Sequence, residues 1–598
     1  MKVTAQNINQ VYDFVIVGGG TSGLCLAARL SEEWNVLLIE AGEESLDDPL
    51  INMPAQCGAH FGKKGYDWIF QTIAQQYCGD SVVFWPRGKI LGGSSAINFM
   101  VWTKPPSEHI DDLEILGNKG WNWDSVNKYM RKAEGFSPPP AEVAELRNLN
   151  VNEWKEDAGL EGPLKTGFPA TITPVEIAAY KSFLALGIPQ AKRPLGGDPN
   201  GAQFVPNTID TSKNVRSYAT TAYYLPNIHK KSFSVLLASN VSQILLEDDD
   251  GSLKATGVEF FCDGKKYEVK AQKEVLVCAG ALKSPQLLEL SGIGRPEILK
   301  SIGIPLKLEL PGVGQNVQEH MIVGMSFELN ENVKDHTFDH IRDNILKAEH
   351  IQLHKQGRGV FTMGVQTMVY TSLQSITDRA TEIYQTALQK IGNNPDSYPP
   401  GLHAQLMLQL KRIETQSPIC EIVVYPGFMS APNPPEKGKN YVTIVAALNN
   451  NLSRGTIHSV SSNWETDPAF DPHYFEEDAD LEILVETMLF IRKLANTEPF
   501  KNSIAQELNP GPEVSTVEGL KKHAKTYLNT TFHTAGSLSM LPLEHGGVVD
   551  SKLKVYGVDN LRVVDLSVLP LHFTAHTQAV VYGIAEKAAD IIKLEESL

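Results

Sequence analysis

The chain has 598 residues, too many for one hydrophobic core, so two or more domains are expected. Its 42% apolar and 21% charged composition is that of a globular enzyme and excludes a disordered or fibrous chain. A net charge of −17 argues against nucleic acid or an anionic membrane as partner, and no apolar run approaches the roughly 18 residues of a membrane span.

The first residues, MKVTAQNINQVYD, carry no apolar segment of the secretory kind, so a cytoplasmic or other intracellular location is expected. The stretch Asp13 to Glu40 then organises the rest. Phe14 to Val17 is a short β-branched run of the kind that forms a buried parallel strand. Gly18, Gly20 and Gly23 follow in the order G-x-G-x-x-G, Leu24 to Leu30 has a helical pattern, and Val36 to Ile39 is a second strand ending at Glu40. The first glycine suits a tight turn, the second a close approach of pyrophosphate, and the third close packing of helix on strand. The helix N-terminus offers unpaired N–H groups to phosphate, and Glu40 stands where an acid would hold a ribose hydroxyl. This pattern predicts a dinucleotide site and leaves open which dinucleotide fills it.

Ala41 to Val82 reads as a long loop that covers a ligand. Trp85 to Trp102 is a glycine-rich turn, with Ser94 and Ser95 placed to cap a helix after it. Ser107 to Lys132 is amphipathic, and Pro138 to Phe204 is a loop-heavy layer. Phe233 to Leu246 gives two strands, and Leu253 to Val277 an antiparallel excursion returning to a buried strand. In Gly280 to Gly294, Ser284-Pro285 is expected to open a helix. Residues 332–356 and 377–391 are helical in period, as is 478–494. Near the C-terminus, His533 and His576 lie in apolar segments, and a helix begins at about Thr577. The six cysteines show no C-x-x-C spacing, so free thiols and no metal site are expected.

Four stretches together, Gly18–Glu40, PRGKILGGSSAIN from Pro86, GALKSPQLLELSGIG from Gly280 and His533–Ala579, resemble the glucose–methanol–choline (GMC) oxidoreductases over essentially the whole chain. Within that family the chain is most similar to fungal alcohol oxidases of the aryl-alcohol and glucose oxidase type. The resemblance implies an α/β fold in which a Rossmann-like FAD-binding domain (1–115, 228–325 and 530–598) carries an inserted α+β substrate domain (116–227 and 326–529) built on an antiparallel sheet. It implies that FAD contacts Gly18, Gly20, Thr21, Ser22, Gly23, Glu40 and Ala41 at one end and Val241 at the adenine. It implies further contacts from Arg87, Gly92, Gly93, Ser94, Asn98, Met100 and Val101, and from Asp565, Leu566, His576, Thr577 and Gln578. Covalently flavinylated members carry a histidine just before the equivalent of Asn98; Ile97 stands here, which implies non-covalent FAD. The chain departs from the family at Glu319, at Thr534 and at Thr103-Lys-Pro-Pro, the last on the substrate side.

The implied chemistry is oxidation of a primary alcohol to an aldehyde. Hydride passes to flavin N5 and the proton to a base, a task suited to imidazole. His533 is expected as the principal base and His576 as its partner on the alcohol oxygen, with His320 structural. The Thr577 helix would direct its positive end at the flavin. A lyase or cyclase keeping FAD as a structural group is the alternative. The apolar patches between Tyr370 and Met429 favour a small uncharged aromatic or aliphatic alcohol over a sugar or choline, with oxygen or a quinone as electron acceptor.

Overall fold

The computed structural model describes every residue except 250, 334, 335, 400 and 598. Strand β1 (Val11–Val17), helix α1 (Thr21–Leu30) and strand β2 (Val36–Ile39) form the expected βαβ unit, with Phe14 opposite Val36 and Val17 opposite Ile39 in a parallel pair. Both strands are buried from Phe14 to Val17 and from Val36 to Ile39, as a sheet covered on both faces requires. Helix and sheet approach so closely at Gly23 that a Cβ there would lie 1.9 Å from the Gly18 carbonyl oxygen.

The chain leaves this sheet and returns to it twice. Strands β3 (Phe233–Leu236), β4 (Ser239–Asp249), β5 (Ser252–Cys262) and β6 (Lys265–Val277) give the order β3-β2-β1-β6-β5-β4, with Lys2–Val3 outside β3. β6 runs parallel to β1, Val275 facing Val15, and antiparallel to β5. Helix α2 (Gly280–Leu290) follows. The segment Leu561–Val563 comes back to pair in parallel with Val275–Val277. Three separated stretches of sequence thus build one sheet.

The second sheet joins β7 (Met321–Leu329), β8 (Thr367–Thr371), β9 (Cys420–Tyr425), β10 (Tyr441–Leu448) and β11 (Ile504–Asn509) in the order β8-β9-β10-β7-β11. All of these pairs are antiparallel. A domain boundary at 325/326 falls inside β7, which belongs to this sheet from Met321. Helix α3 (Asp478–Ala495) is buried along most of its length.

Helix α4 (Gln578–Glu596) is the long C-terminal element, buried from Ala579 to Ala589. It is tied to α1 by Arg29, whose Nε and Nη2 donate to the buried Glu586 carboxylate at 2.9 and 2.7 Å. Tyr223 Oη donates to the same carboxylate at 3.0 Å. This paired fork is the geometry in which a buried ion pair is well satisfied.

Two sequence expectations are corrected locally, and one amphipathic stretch resolves into two helices. α2 begins at Gly280, so Pro285 lies inside it; the Ala281 carbonyl that its missing N–H leaves free accepts from Ser537 Oγ at 2.6 Å. Ser107 to Lys132 divides into helices Ser107–Ile115 and Trp123–Ala133, because the intervening chain turns at Gly117 with φ +107° and restarts at Asn122, whose side chain caps Ser125 N–H. Of 332–356, residues 334 and 335 lie outside the described residues, and the helix covers Asn344–His354, started by Asp343 capping Ile345 and Leu346.

Candidate active site

One cavity of about 960 Å³ runs from the βαβ unit to the two C-terminal histidines. Of the residues expected to hold a cofactor, Gly18, Gly20, Thr21, Ser22, Glu40, Ala41, Arg87, Gly93, Ser94, Asn98, Met100, Val101, Val241, Asp565, Leu566, His576, Thr577 and Gln578 all line it, and so does His533. Gly23 and Gly92 stand behind the lining. Gly23 packs α1 on its strand, and Gly92 N–H donates to the Gly19 carbonyl at 2.8 Å.

At the nucleotide end, α1 has no side-chain cap at its N-terminus, so its first N–H groups are left for an anion. Gly93, at φ +52°, lies so near this turn that a Cβ would come 2.7 Å from Gly20 Cα. Glu40 does more than an acid aimed at a ribose would. It is buried, and its two oxygens accept from Gly19 and Gly42 N–H at 2.7 Å each. Burial pushes its carboxyl up to about 7, while those N–H groups pull the other way. Asp565 likewise braces backbone, accepting from Gly280 N–H at 2.9 Å, Ser284 Oγ at 2.6 Å and Ser567 N–H at 2.8 Å.

No helix follows Ser94 and Ser95; the chain makes a single 3₁₀ turn over Gly93–Ala96. The hydroxyls work locally, Ser95 Oγ donating to the Gly92 carbonyl and Ser94 Oγ accepting from Gly88 N–H. Asn98 Oδ1 accepts from Met100 N–H at 3.0 Å and from Arg216 Nη1 at 2.7 Å, which turns the chain through Met100 at φ +62°. Asn98 Nδ2 donates to Gln578 Oε1 at 3.2 Å, and Gln578 Nε2 donates to the Val101 carbonyl. This turn is thus fastened to the start of α4.

At the other end the rings of His533 and His576 lie 5.0 Å apart at 78°. His576 Nε2 is 2.9 Å from Glu421 Oε1, a fully buried carboxylate on β9 whose other oxygen accepts from Asn449 Nδ2 at 2.8 Å. The carboxylate fixes the proton on Nε2 and leaves Nδ1 without a partner among the described residues. His576 N–H donates to Thr103 Oγ1 at 2.9 Å, so the Thr103 departure reaches the site through this backbone contact.

His533 Nδ1 lies 2.8 Å from Thr531 Oγ1 and 3.0 Å from His320 Nδ1. With a proton on Nδ1 donated to either partner, Nε2 carries the lone pair a base needs. Burial, then the neighbouring His576, His572 and Arg87, hold the His533 imidazole well below its ordinary value, so the ring is neutral at neutral pH. Behind it, His572 Nε2 donates to the His533 carbonyl at 2.7 Å, and its ring centroid lies 3.8 Å from that of His320 at a tilt of 38°. The His533 backbone is held by Glu319, which accepts from His533 N–H at 2.6 Å and His320 N–H at 3.1 Å. Arg87 joins this support through Thr534 Oγ1 at 2.6 Å and stands 3.6 Å from Glu319. Burial pushes the Glu319 carboxyl up to about 7, with Arg87 opposing.

Glu421 and His572 carry no sequence signal of their own. Glu421 reaches the site only through the pairing of β9 in the second sheet, and His572 differs from His576 by nothing local. His320, expected as a structural residue, proves to be a direct neighbour of the base candidate.

A nucleotide-sized cavity that begins at a helix N-terminus and reaches a pair of imidazoles fits a dinucleotide-dependent oxidoreductase of the α/β class. The GMC oxidoreductase family models match residues 12–322 and 451–585, and the chain belongs to that family. It is 33% identical to a GMC oxidoreductase family protein of Malassezia sympodialis over 97% of this chain and 92% of that one. Among solved structures it is similar to an FAD-dependent oxidoreductase from Chaetomium thermophilum (28% identity, TM-score 0.88, covering 98% of this chain and 100% of that one). It is also similar to a fungal aryl-alcohol oxidase (26% identity, TM-score 0.86, covering 99% and 100%). Membership makes the protein an enzyme acting on CH–OH donors and implies FAD as its cofactor. The lining fits such a group: an uncapped helix end for phosphates, glycine turns admitting close approach, and a volume near the top of the range for small-molecule sites.

Proposed function

We propose that the protein oxidises a small uncharged primary alcohol to its aldehyde, with non-covalently held FAD. The observation that carries this reading is the His533–His576 pair lining the cavity that begins at Gly18. When bound, the flavin supplies the hydride acceptor. His533 Nε2 takes the hydroxyl proton, and His576 Nδ1, its ring proton held on Nε2 by Glu421, is a second acceptor that shares that proton. Two imidazoles this near resist carrying charge together, which helps keep one of them basic.

The substrate end is apolar. Phe61, Phe99, Val365, Tyr425, Met429 and Phe532 line it, with Phe61 edge-on to Phe532 at 5.3 Å. Such walls favour an aromatic or aliphatic alcohol over a sugar or choline, whose hydroxyls or charge would go unpaired. Ile97, buried beside Asn98, offers no atom for a covalent flavin link. Either oxygen or a quinone serves as acceptor.

The test is a panel of benzyl alcohol, a straight-chain alcohol, glucose and choline, with aldehyde formation, peroxide release and quinone reduction measured side by side. Turnover of the first two above the last two supports the proposal. Turnover of glucose or choline alone, or product without any electron acceptor, overturns it.

A further inference from the structure

Outside the alcohol site, the geometry points to a binding site for a borderline divalent cation, Zn²⁺ or a close neighbour in ligand preference, formed by His336, His340 and His350. In the sequence only the His336-x-x-x-His340 spacing marks it, and His350 adds no spacing signal. His336 lies before the turn Phe338–Arg342 and His340 on it, and His350 comes from the helix Asn344–His354. His336 Nδ1 is 3.3 Å from His340 Nδ1, which is 3.1 Å from His350 Nε2. The three ligand atoms all fall within 4.8 Å of one another. An ion held tetrahedrally at about 2.0–2.1 Å from each nitrogen sets them roughly 3.3 Å apart, close to two of these separations.

Neutral imidazoles satisfy this arrangement only in part. His340 Nδ1 has one lone pair or one proton, yet two ring nitrogens converge on it. A cation accepts all three lone pairs at once. The burial grades from His350, buried, through His340 to His336, exposed, so a fourth position opens to solvent. Glu349 and Asp343 add negative charge beside His340. Uncharged nitrogen ligands without thiolate or carboxylate favour Zn²⁺, Cu²⁺ or Ni²⁺ over Mg²⁺ or Ca²⁺. One contact opposes loading: Val360 N–H donates to His350 Nδ1 at 3.3 Å, and coordination through Nε2 moves the ring proton to Nδ1. Giving up that long bond suits an exchangeable ion rather than a permanent one.

The cluster backs one wall of the substrate cavity. Phe338 packs on the cavity-lining Tyr425 with ring centroids 4.9 Å apart, and its N–H donates to the Pro426 carbonyl at 2.8 Å. A bound ion would tie the helix Asn344–His354 to that turn.

The experiment uses the flavin-loaded enzyme, stripped with a chelator, dialysed and titrated with Zn²⁺ by calorimetry and with Co²⁺ by its ligand-field absorption. The wild type should take one equivalent per chain and give a tetrahedral Co²⁺ spectrum. His336→Ala and His340→Ala should each weaken binding by at least about tenfold while keeping flavin content and alcohol turnover. No stoichiometric binding by the wild type overturns the proposal, as does an equivalent that binds both variants unchanged. The wild-type titration decides even if a variant fails to fold.

Discussion

Replacing Glu421 with Gln probes the site through a residue that does not touch the reacting atoms. The carboxylate is buried, 2.9 Å from His576 Nε2, and accepts from Asn449 at 2.8 Å. A hydrogen bond to a charged group is worth about 1.5–3 kcal/mol, a neutral one about 0.5–1.5. Exchanging one for the other should cost about 1–2 kcal/mol of transition-state stabilisation, roughly 5–30-fold in kcat/KM. With Asn449 as it stands, the amide satisfies it only by turning its NH₂ toward His576. That places the imidazole proton on Nδ1, the nitrogen left for substrate. The assay is the pH profile of kcat/KM for wild type, Glu421→Gln and Glu421→Asp. The limb reporting protonation of the histidine pair should move to lower pH in Glu421→Gln, and Glu421→Asp should restore part of the rate. A variant whose thermal stability and rate fall together with an unmoved profile would show Glu421 to be a packing residue and refute the reasoning.

His533→Ala should keep its flavin and lose about 10²–10⁴ in kcat with the alcohol substrate, measured by aldehyde formation at saturating alcohol; a loss under tenfold would remove His533 from the base role. Gly23→Ala places a Cβ 1.9 Å from the Gly18 carbonyl oxygen and should purify without flavin, read as the absorbance ratio of cofactor to chain. His473, between Asp471 and Glu476 at 3.1 Å each, is held up at about 10 by those carboxylates. Its folded value lies above the ordinary value of about 6.5, so its stabilising effect is complete below that pH and is lost as pH rises through about 10. His473→Asn, which tolerates the φ of +52° there, should melt below the wild type at pH 6 and approach it at high pH.

The sequence displayed those parts of the site whose physics is local. A strand, a glycine turn and a helix start must be contiguous, so Gly18–Glu40 was readable outright, and all but two of the expected cofactor residues line one cavity. The C-terminal histidines became legible through family resemblance. What stayed hidden depends on chains meeting across the fold. Glu421 reaches His576 because β9 pairs in the second sheet, and His336, His340 and His350 converge because a turn folds onto the next helix. The first meeting leaves no periodic trace, and the second leaves only the His336-x-x-x-His340 spacing. Local expectations failed where a side chain replaced a backbone partner: Ser537 fills the gap Pro285 leaves in α2, and Asn98 ends the turn where Ser94 and Ser95 were expected to cap a helix.

The most direct measurement is the flavin absorbance of the purified enzyme after benzyl alcohol is added in the absence of oxygen. Bleaching with one aldehyde released per chain, slowed by His533→Ala, is the predicted result. A band that stays oxidised while the alcohol, or any other substrate of the panel, is converted would contradict hydride transfer at the histidine pair and favour a cofactor kept only for structure.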